Sequence, residues 1–246
     1  MAEREWDDRA QPMLEVGPLD AFYGDSHVLH GVSLAVGAGE GVALLGRNGA
    51  GKSTLLKALL DAGPRTVGPV RFEGRPLDGL PTHRRARLGL SLVPEDRRIF
   101  GHISVAENLE LAAHACGPGV VPRKVAEVAA LFPLLQPILD RGGARLSGGQ
   151  QQMVAVGRGL VPRPKLLLLD EPAEGLAPLI VEDLAREIAR VRRAENLALL
   201  VTEQNVDFAR ACTDRLYLID SGTIVFSGDW AAFDARPELE SEYLAL

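Results

Sequence analysis

The chain has 246 residues, enough for one substantial domain or a core carrying an inserted subdomain, and too few for two such units. A hydrophobic share of 46% with only 5% aromatic residues suits an aliphatic sheet flanked by helices rather than an aromatic binding groove. A formal net charge of -6 argues against a surface given over to nucleic-acid phosphates, where lysine and arginine must dominate.

Residues 1–10 carry Glu3, Glu5, Asp7 and Asp8 without the apolar stretch of a signal peptide. Nowhere do roughly 18 apolar residues run uninterrupted, so the chain is expected to stay in the cytoplasm and not to cross a bilayer alone. Cys116 and Cys212 lie far apart, which reads as two reduced thiols rather than a disulfide framework or metal cluster. Val32, Leu34 and Val36 alternate with small or polar neighbours, the pattern of a half-buried strand, and Gly41 to Gly46 reads as a fully buried one.

The next segment, Gly46-Arg47-Asn48-Gly49-Ala50-Gly51-Lys52-Ser53-Thr54, fits G-x-x-x-x-G-K-[ST]. It is followed from Ser53 to Ala62 by good helix formers with Leu55, Leu56, Leu59 and Leu60 on one side. Strand, glycine loop and helix in that order are the context a phosphate-binding loop requires; the plainer alternative is a glycine-rich turn. In the phosphate reading, backbone N–H groups close around the phosphates and Lys52 reaches the β- and γ-phosphates. Ser53 Oγ ligates Mg²⁺.

Short strands are predicted at Val70 to Phe72 and Leu90 to Val93. Between them His83, Arg84, Arg85 and Arg87 form a basic cluster, read as a solvated helix face, with a lipid or membrane-protein contact as the alternative. From Ser104 to Leu160 the apolar residues suit helices broken by glycine or proline at 117 to 119, 133 and 137. The expected organisation is an α/β core of residues 1–94 and 161–246 with a helical subdomain, 95–160, inserted into it. Leu166 to Asp170 is an aliphatic strand that delivers Asp170 and Glu171 at its end. Beside a phosphate loop, Asp170 suits Mg²⁺ and Glu171 suits polarising the attacking water; alone, the pair would read as a strand ending in solvated acids. Further strands are predicted at Leu197 to Thr202 and Arg215 to Asp220, and the 19 residues after Ser227 are too few for a regulatory domain.

These blocks describe any phosphate-loop ATPase or GTPase. Leu146-Ser147-Gly148-Gly149-Gln150-Gln151-Gln152 narrows the choice, because Ser147 and its glycines open a second helix whose N-terminus can bind an anion. This segment lies about 20 residues before the acidic pair and resembles the signature sequence of ABC-type ATPases. The resemblance implies a RecA-like phosphate-loop core, an inserted helical signature subdomain and an N-terminal antiparallel β element. It also implies that Ser147, Gly148, Gly149 and Gln150 close on ATP held by the phosphate loop (Arg47, Asn48, Gly49, Ala50, Gly51, Lys52, Ser53, Thr54) of a second ATPase subunit.

By the same resemblance Tyr23 stacks on adenine, and residues 173–178 form a loop that contacts the opposite subunit. Glu95 replaces the glutamine that links Mg²⁺ to the transporter-facing loop, so the metal set becomes Ser53, Glu95 and Asp170. Gln204 replaces the switch histidine and joins Glu171 as a catalytic residue; its amide can donate to the γ-phosphate without charge. Pro94-Glu95-x-Arg97-Arg98-x-Phe100, Glu203-Gln204-Asn205 and Gly175-Leu176-Ala177-Pro178 are similar to the ATPase subunits of branched-chain amino-acid importers. Subunits serving urea and short amides are the nearest alternative, and a soluble non-transport ABC ATPase or a binding-only cassette are others. The implied partners are membrane subunits, which hold this chain peripherally on the inner face of the cell membrane, a second ATPase subunit in a homo- or heterodimer across ATP and, indirectly, an extracytoplasmic solute-binding protein, with no nucleic acid.

Overall fold

A computed structural model of the chain describes residues 11–244; the acidic opening on which the expectation of no leader rested lies outside them. The first strands, β1 (Leu14–Tyr23) and β2 (Ser26–Val36), form a hairpin turned at Gly24-Asp25, where Gly24 takes the left-handed φ of 57° that a tight hairpin turn needs. After β3 (Gly41–Leu45), the short strands β4 (Arg65–Val67), β5 (Val70–Phe72) and β6 (Arg75–Pro76) join that hairpin, β4 and β5 both pairing antiparallel with β1. This is the antiparallel element that the resemblance implied.

The second sheet also contains β7 (Leu90–Val93), β8 (Leu166–Asp170), β9 (Ala198–Glu203), β10 (Arg215–Asp220) and β11 (Thr223–Asp229). Its order is β11-β10-β3-β9-β8-β7, parallel throughout except for β11. Its central strands are buried on both faces, and their period of two divides them between two apolar clusters. Val42, Leu44, Leu166, Leu168, Leu200 and Ile219 face the antiparallel element. Ala43, Leu45, Leu167, Leu169, Leu199 and Val201 face the opposite way, toward the longer helices. Each fully buried leucine of this kind is worth about 1.5–3 kcal/mol relative to exposure.

The helices are α1 (Lys52–Leu59), α2 (Thr82–Leu88), α3 (Val105–Ala115), α4 (Val125–Leu131), α5 (Gly148–Leu160), α6 (Pro178–Glu195), α7 (Val206–Cys212), α8 (Trp230–Asp234) and α9 (Pro237–Tyr243). The described elements between 95 and 160 are all helical, α3 to α5 and two 3-10 turns. They share one apolar cluster with the sheet: Val105, Leu109, Val128, Phe132 and Val154 lie in it with Leu167 and Leu199. Capping boxes start two of these helices, Ser104 with Glu107 for α3 and Ser147 with Gln150 for α5, satisfying N–H groups that a helix end otherwise leaves unpaired.

Two expectations are corrected here. The helix predicted to run to Ala62 ends at Leu59: Asp61 turns to a left-handed φ of 54°, and the Arg85 guanidinium donates to the carbonyls of Ala58 (3.2 Å) and Leu59 (2.9 Å) in the last turn. Arg85 is for the same reason not part of a solvated face: it is 5% exposed and serves as a cap for the end of α1. No helix among the described residues is long and apolar enough to cross a membrane.

Candidate functional site

Register decides what meets what. Leu45 on β3 pairs with Glu203 on β9, and Asp170 on β8 pairs with Thr202 on β9, so the carboxyl ends of three adjacent parallel strands finish level. In open α/β sheets that edge is where ligands bind. The phosphate loop leaves β3 there, the acidic pair leaves β8, and the residues around Gln204 leave β9.

The loop is shaped by glycines. A Cβ on Gly46 would lie 2.4 Å from the carbonyl oxygen of Ile219, and one on Gly51 would lie 2.8 Å from Leu29 Cδ2. Gly51, at φ 107°, is also the N-cap of α1, and it offers no side chain to the helix's first N–H groups. Those donors point from a positive helix terminus into the loop. Gly49, at φ 82°, has open space where a Cβ would be. Lys52 is 3% exposed; its ammonium donates to the carbonyls of Gly46 (2.7 Å) and Arg47 (3.0 Å) and pairs with Glu171 Oε1 at 3.1 Å.

Around this pair the remaining polar groups interlock. Asp170 Oδ1 accepts from Ser53 Oγ at 2.9 Å and from Thr202 Oγ1 at 2.8 Å. Burial holds the Asp170 carboxyl above its ordinary range, opposed by those two hydroxyls and reinforced by the charge of Glu171. Gln204 Nε2 donates to Glu171 Oε2 at 3.1 Å and to Asn48 Oδ1 at 2.7 Å, joining the switch position to the acid and to the phosphate loop. Glu171 sits at a left-handed φ of 44°, an uncommon conformation for a side chain of this size, held by the bond from its N–H to the Thr202 carbonyl at 3.0 Å. Lys52, Ser53, Asn48, Asp170, Glu171 and Gln204 therefore form one connected group.

Glu95 is exposed at the end of β7. Its carboxyl is raised by burial first and then by the negative charges of Glu174, Glu171 and Asp170, so it belongs to the same acidic neighbourhood. Among the described residues no group of three or more His, Cys, Asp or Glu side chains is disposed to hold a metal by itself. Ser53 and Asp170 nevertheless supply the hard oxygen donors that Mg²⁺ takes, with room for outside ligands.

Two expected groups are not drawn in by any described bond. Tyr23 closes the β1–β2 hairpin, is 42% exposed, and has its ring beside Gly63. Ser147 and Gln150 are occupied with each other in the cap of α5, Ser147 Oγ accepting from the Gln150 N–H at 3.3 Å. Gly149 has a packing reason to be glycine, since a Cβ there would lie 2.6 Å from Ile180 Cγ2. None of the described hydrogen bonds links residues 147–150 to residues 46–54.

Sequence reasoning assigned no role to Glu203, although the structure makes it a hub. It is 3% exposed; Oε1 accepts from the Ala173 N–H at 2.8 Å, and Oε2 from those of Gln204 (3.0 Å) and Asn205 (3.1 Å). Its own carbonyl accepts from the Gly46 N–H. Burial pushes this carboxyl up to about 7, against the pull of those three N–H groups. An acid directly before the switch position, at the end of a buried and largely aliphatic strand, was the available signal.

Comparison with known proteins agrees with this geometry. A family model described as "ABC transporter" matches residues 29–174. The chain is 39% identical over 232 residues to "High-affinity branched-chain amino acid transport ATP-binding protein BraG" of Pseudomonas aeruginosa, covering 94% of this chain and 99% of that one. It is 34% identical to "Probable branched-chain amino acid transport ATP-binding protein LivF" of Archaeoglobus fulgidus, covering 88% of this chain and 92% of that one. Among solved structures, the ADP conformation of MJ1267, "an ATP-binding cassette of an ABC transporter", superposes with a TM-score of 0.76 at 25% identity, covering 92% of this chain and 94% of that chain.

Proposed function

The chain belongs to the ABC transporter family of ATP-binding, ATP-hydrolysing cassettes, and from that premise we propose that it is the ATPase of an importer of branched-chain amino acids. The two relatives named for that transport, BraG and LivF, support the substrate class. The observation that carries the catalytic part is the buried Lys52–Glu171 pair, braced by Gln204 and flanked by Asp170 and Ser53.

ATP is the substrate. Its β- and γ-phosphates enter the glycine loop, and the Lys52 ammonium exchanges Glu171 for phosphate oxygens. The N–H groups at the start of α1 take the remaining negative charge. Ser53 and Asp170, with Glu95 nearby, would hold Mg²⁺, which would supply charge neutralisation on the phosphates. Released from Lys52, the Glu171 carboxylate accepts a proton from water as its oxygen bonds to the γ-phosphorus and the bond to ADP breaks, giving ADP and phosphate. Gln204 orients Glu171 and donates its amide to the γ-phosphate, while Asn48 fixes that amide. Tyr23 stacks on adenine. Ser147, Gly148, Gly149 and Gln150 serve the nucleotide of a second ATPase subunit, so catalysis needs a dimer.

The membrane partner meets the groove of about 570 Å³ between α2, β7 and α3, whose lining includes His83, Arg87, Arg97, Arg98 and Arg158. The chain accordingly works on the cytoplasmic face of the membrane. The test is co-expression of the full chain with the membrane subunits of such an importer, with and without a second, different ATPase subunit. Branched-chain amino acid uptake should require this chain and its Lys52; uptake of urea or short amides in its place would reassign the substrate. Association with ribosomes or chromosomes instead of membranes would refute the transport reading.

A further inference from the structure

Arg97 lies outside the connected group above, yet its guanidinium spans three functional segments. Nε donates to Gln152 Oε1 on α5 at 3.0 Å, and Nη2 donates to the carbonyl of Glu174 at 3.0 Å. A Cβ on Gly148 would stand 3.0 Å from Nη1 and one on Gly175 4.0 Å from Nη2, so the guanidinium rests directly on the start of α5 and on the loop after Glu171. Gln152 is 1% exposed and its Nε2 has no hydrogen-bond partner, which leaves Arg97 as the described partner of its amide group.

The segment bearing Arg97 is itself under strain. Arg97 and Arg98 take successive left-handed φ values of 58° and 47°, a conformation unfavourable for any residue but glycine and asparagine. It is held by side chains: Arg158 Nη1 donates to the Arg98 carbonyl at 2.6 Å, and Arg98 Nε pairs with the Asp96 carboxylate. On the far side, the Glu174 N–H donates to the Glu171 carbonyl at 3.2 Å, so the residue gripped by Arg97 closes a turn on the catalytic acid.

We infer that Arg97 is a positioning residue that makes the 94–98 loop, the signature helix and the turn after Glu171 move as one unit. A partner pressing on the basic groove, which residues 94, 97 and 98 line, thereby shifts the signature and the placement of Glu171 together. This deepens the functional reading and rests on it. A planar fork is required, because one lysine ammonium cannot hold two acceptors on different elements in fixed directions.

The test compares the full chain with Arg97→Ala, Arg97→Lys, Gln152→Ala and the Arg97→Ala/Gln152→Ala pair, by ATP calorimetry and steady-state turnover. Arg97→Ala should leave ATP affinity and KM within about twofold and lower kcat about tenfold, the scale of coupling through such a contact. Arg97→Lys should fall between, and adding Gln152→Ala to Arg97→Ala should cost little more, since both remove the same link. If the chain alone turns over too slowly, the same ordering is read from the concentration needed for ATP-dependent dimerisation. Parental kcat in Arg97→Ala, additive losses in the pair, or a joint loss of affinity, kcat and melting temperature would overturn the inference. Should Arg97→Ala not fold, Arg97→Lys and Gln152→Ala carry the same comparison. A parental chain that binds no ATP sinks the functional reading and this inference with it.

Discussion

In the structure described here Glu171 neutralises Lys52, so Glu171→Gln should act in opposite directions with and without nucleotide. The pair is 3.1 Å apart with side chains 2% and 7% exposed, where unit charges attract by about 5 kcal/mol at an effective dielectric constant of about 20. Desolvation of both ions offsets most of that. A glutamine oxygen still accepts from the ammonium, but its NH₂ group then faces that of Gln204. The net loss is on the scale of one hydrogen bond to a charged group, about 1.5–3 kcal/mol. At about 2–4 °C per kcal/mol for a chain of this size, the nucleotide-free melting temperature should drop by roughly 3 to 12 °C. ATP binding, in contrast, no longer has to break the ion pair, and affinity should rise by up to about tenfold, the equivalent of 1.4 kcal/mol. Turnover should fall about 10²- to 10⁴-fold with the loss of the base. Thermal melts without nucleotide, calorimetry with MgATP and a phosphate-release assay read the three effects. Unchanged melting and unchanged affinity would show that the pair does not compete with ATP, and parental turnover would show that Glu171 is not the base.

Lys52→Ala removes the buried cation of the loop while leaving its backbone, and calorimetry should find most ATP affinity gone; parental affinity would move the site elsewhere. Gln204→Ala breaks the amide's bonds to Glu171 and Asn48 and should weaken ATP-dependent closure by about 0.5–1.5 kcal/mol in light scattering. Gln204→His should retain turnover and add a pH dependence near neutrality, which a flat pH profile would contradict. The Glu203 carboxyl, raised to about 7 from an ordinary 4.5, gives a signed stability prediction. Between those values the folded chain keeps a proton that the unfolded chain has released, so this group's stabilisation is full below pH 4.5 and is lost as pH rises through 7. Urea midpoints of Glu203→Gln should show a flatter slope across that window than the parent; identical slopes would assign the effect to another group.

The strand–loop–helix order around Lys52, the acidic strand end at Asp170 and the helix start at Ser147 were legible because each couples an unusual residue spacing to a strand or helix boundary that the apolar pattern also marks. The buried strands β3 and β8 are continuous aliphatic runs, and such runs have few other readings. β1 was missed because Gly17-Pro18 interrupts its alternation, and its pairing with β2 shows register shifts on either side of Leu19. Arg85 was misjudged because a basic cluster looks solvated in sequence, whereas the end of α1 supplies it with carbonyls from more than 20 residues away. Glu203 and Arg97 were named only within motifs. Their roles depend on backbone groups of loops distant in sequence, Ala173 in one case and Glu174 in the other, and no spacing rule encodes those meetings.

The central claim is that this chain hydrolyses ATP to drive a membrane partner, with Glu171 as the base. Its most direct test is phosphate release from MgATP by this chain reconstituted in vesicles with the membrane subunits and second ATPase subunit of the proposed importer, with and without a branched-chain amino acid. The account predicts release that the amino acid stimulates and that Glu171→Gln in this chain reduces by about 10²-fold or more. A complete, ATP-binding complex that releases no phosphate, or whose release is untouched by Glu171→Gln, would contradict it.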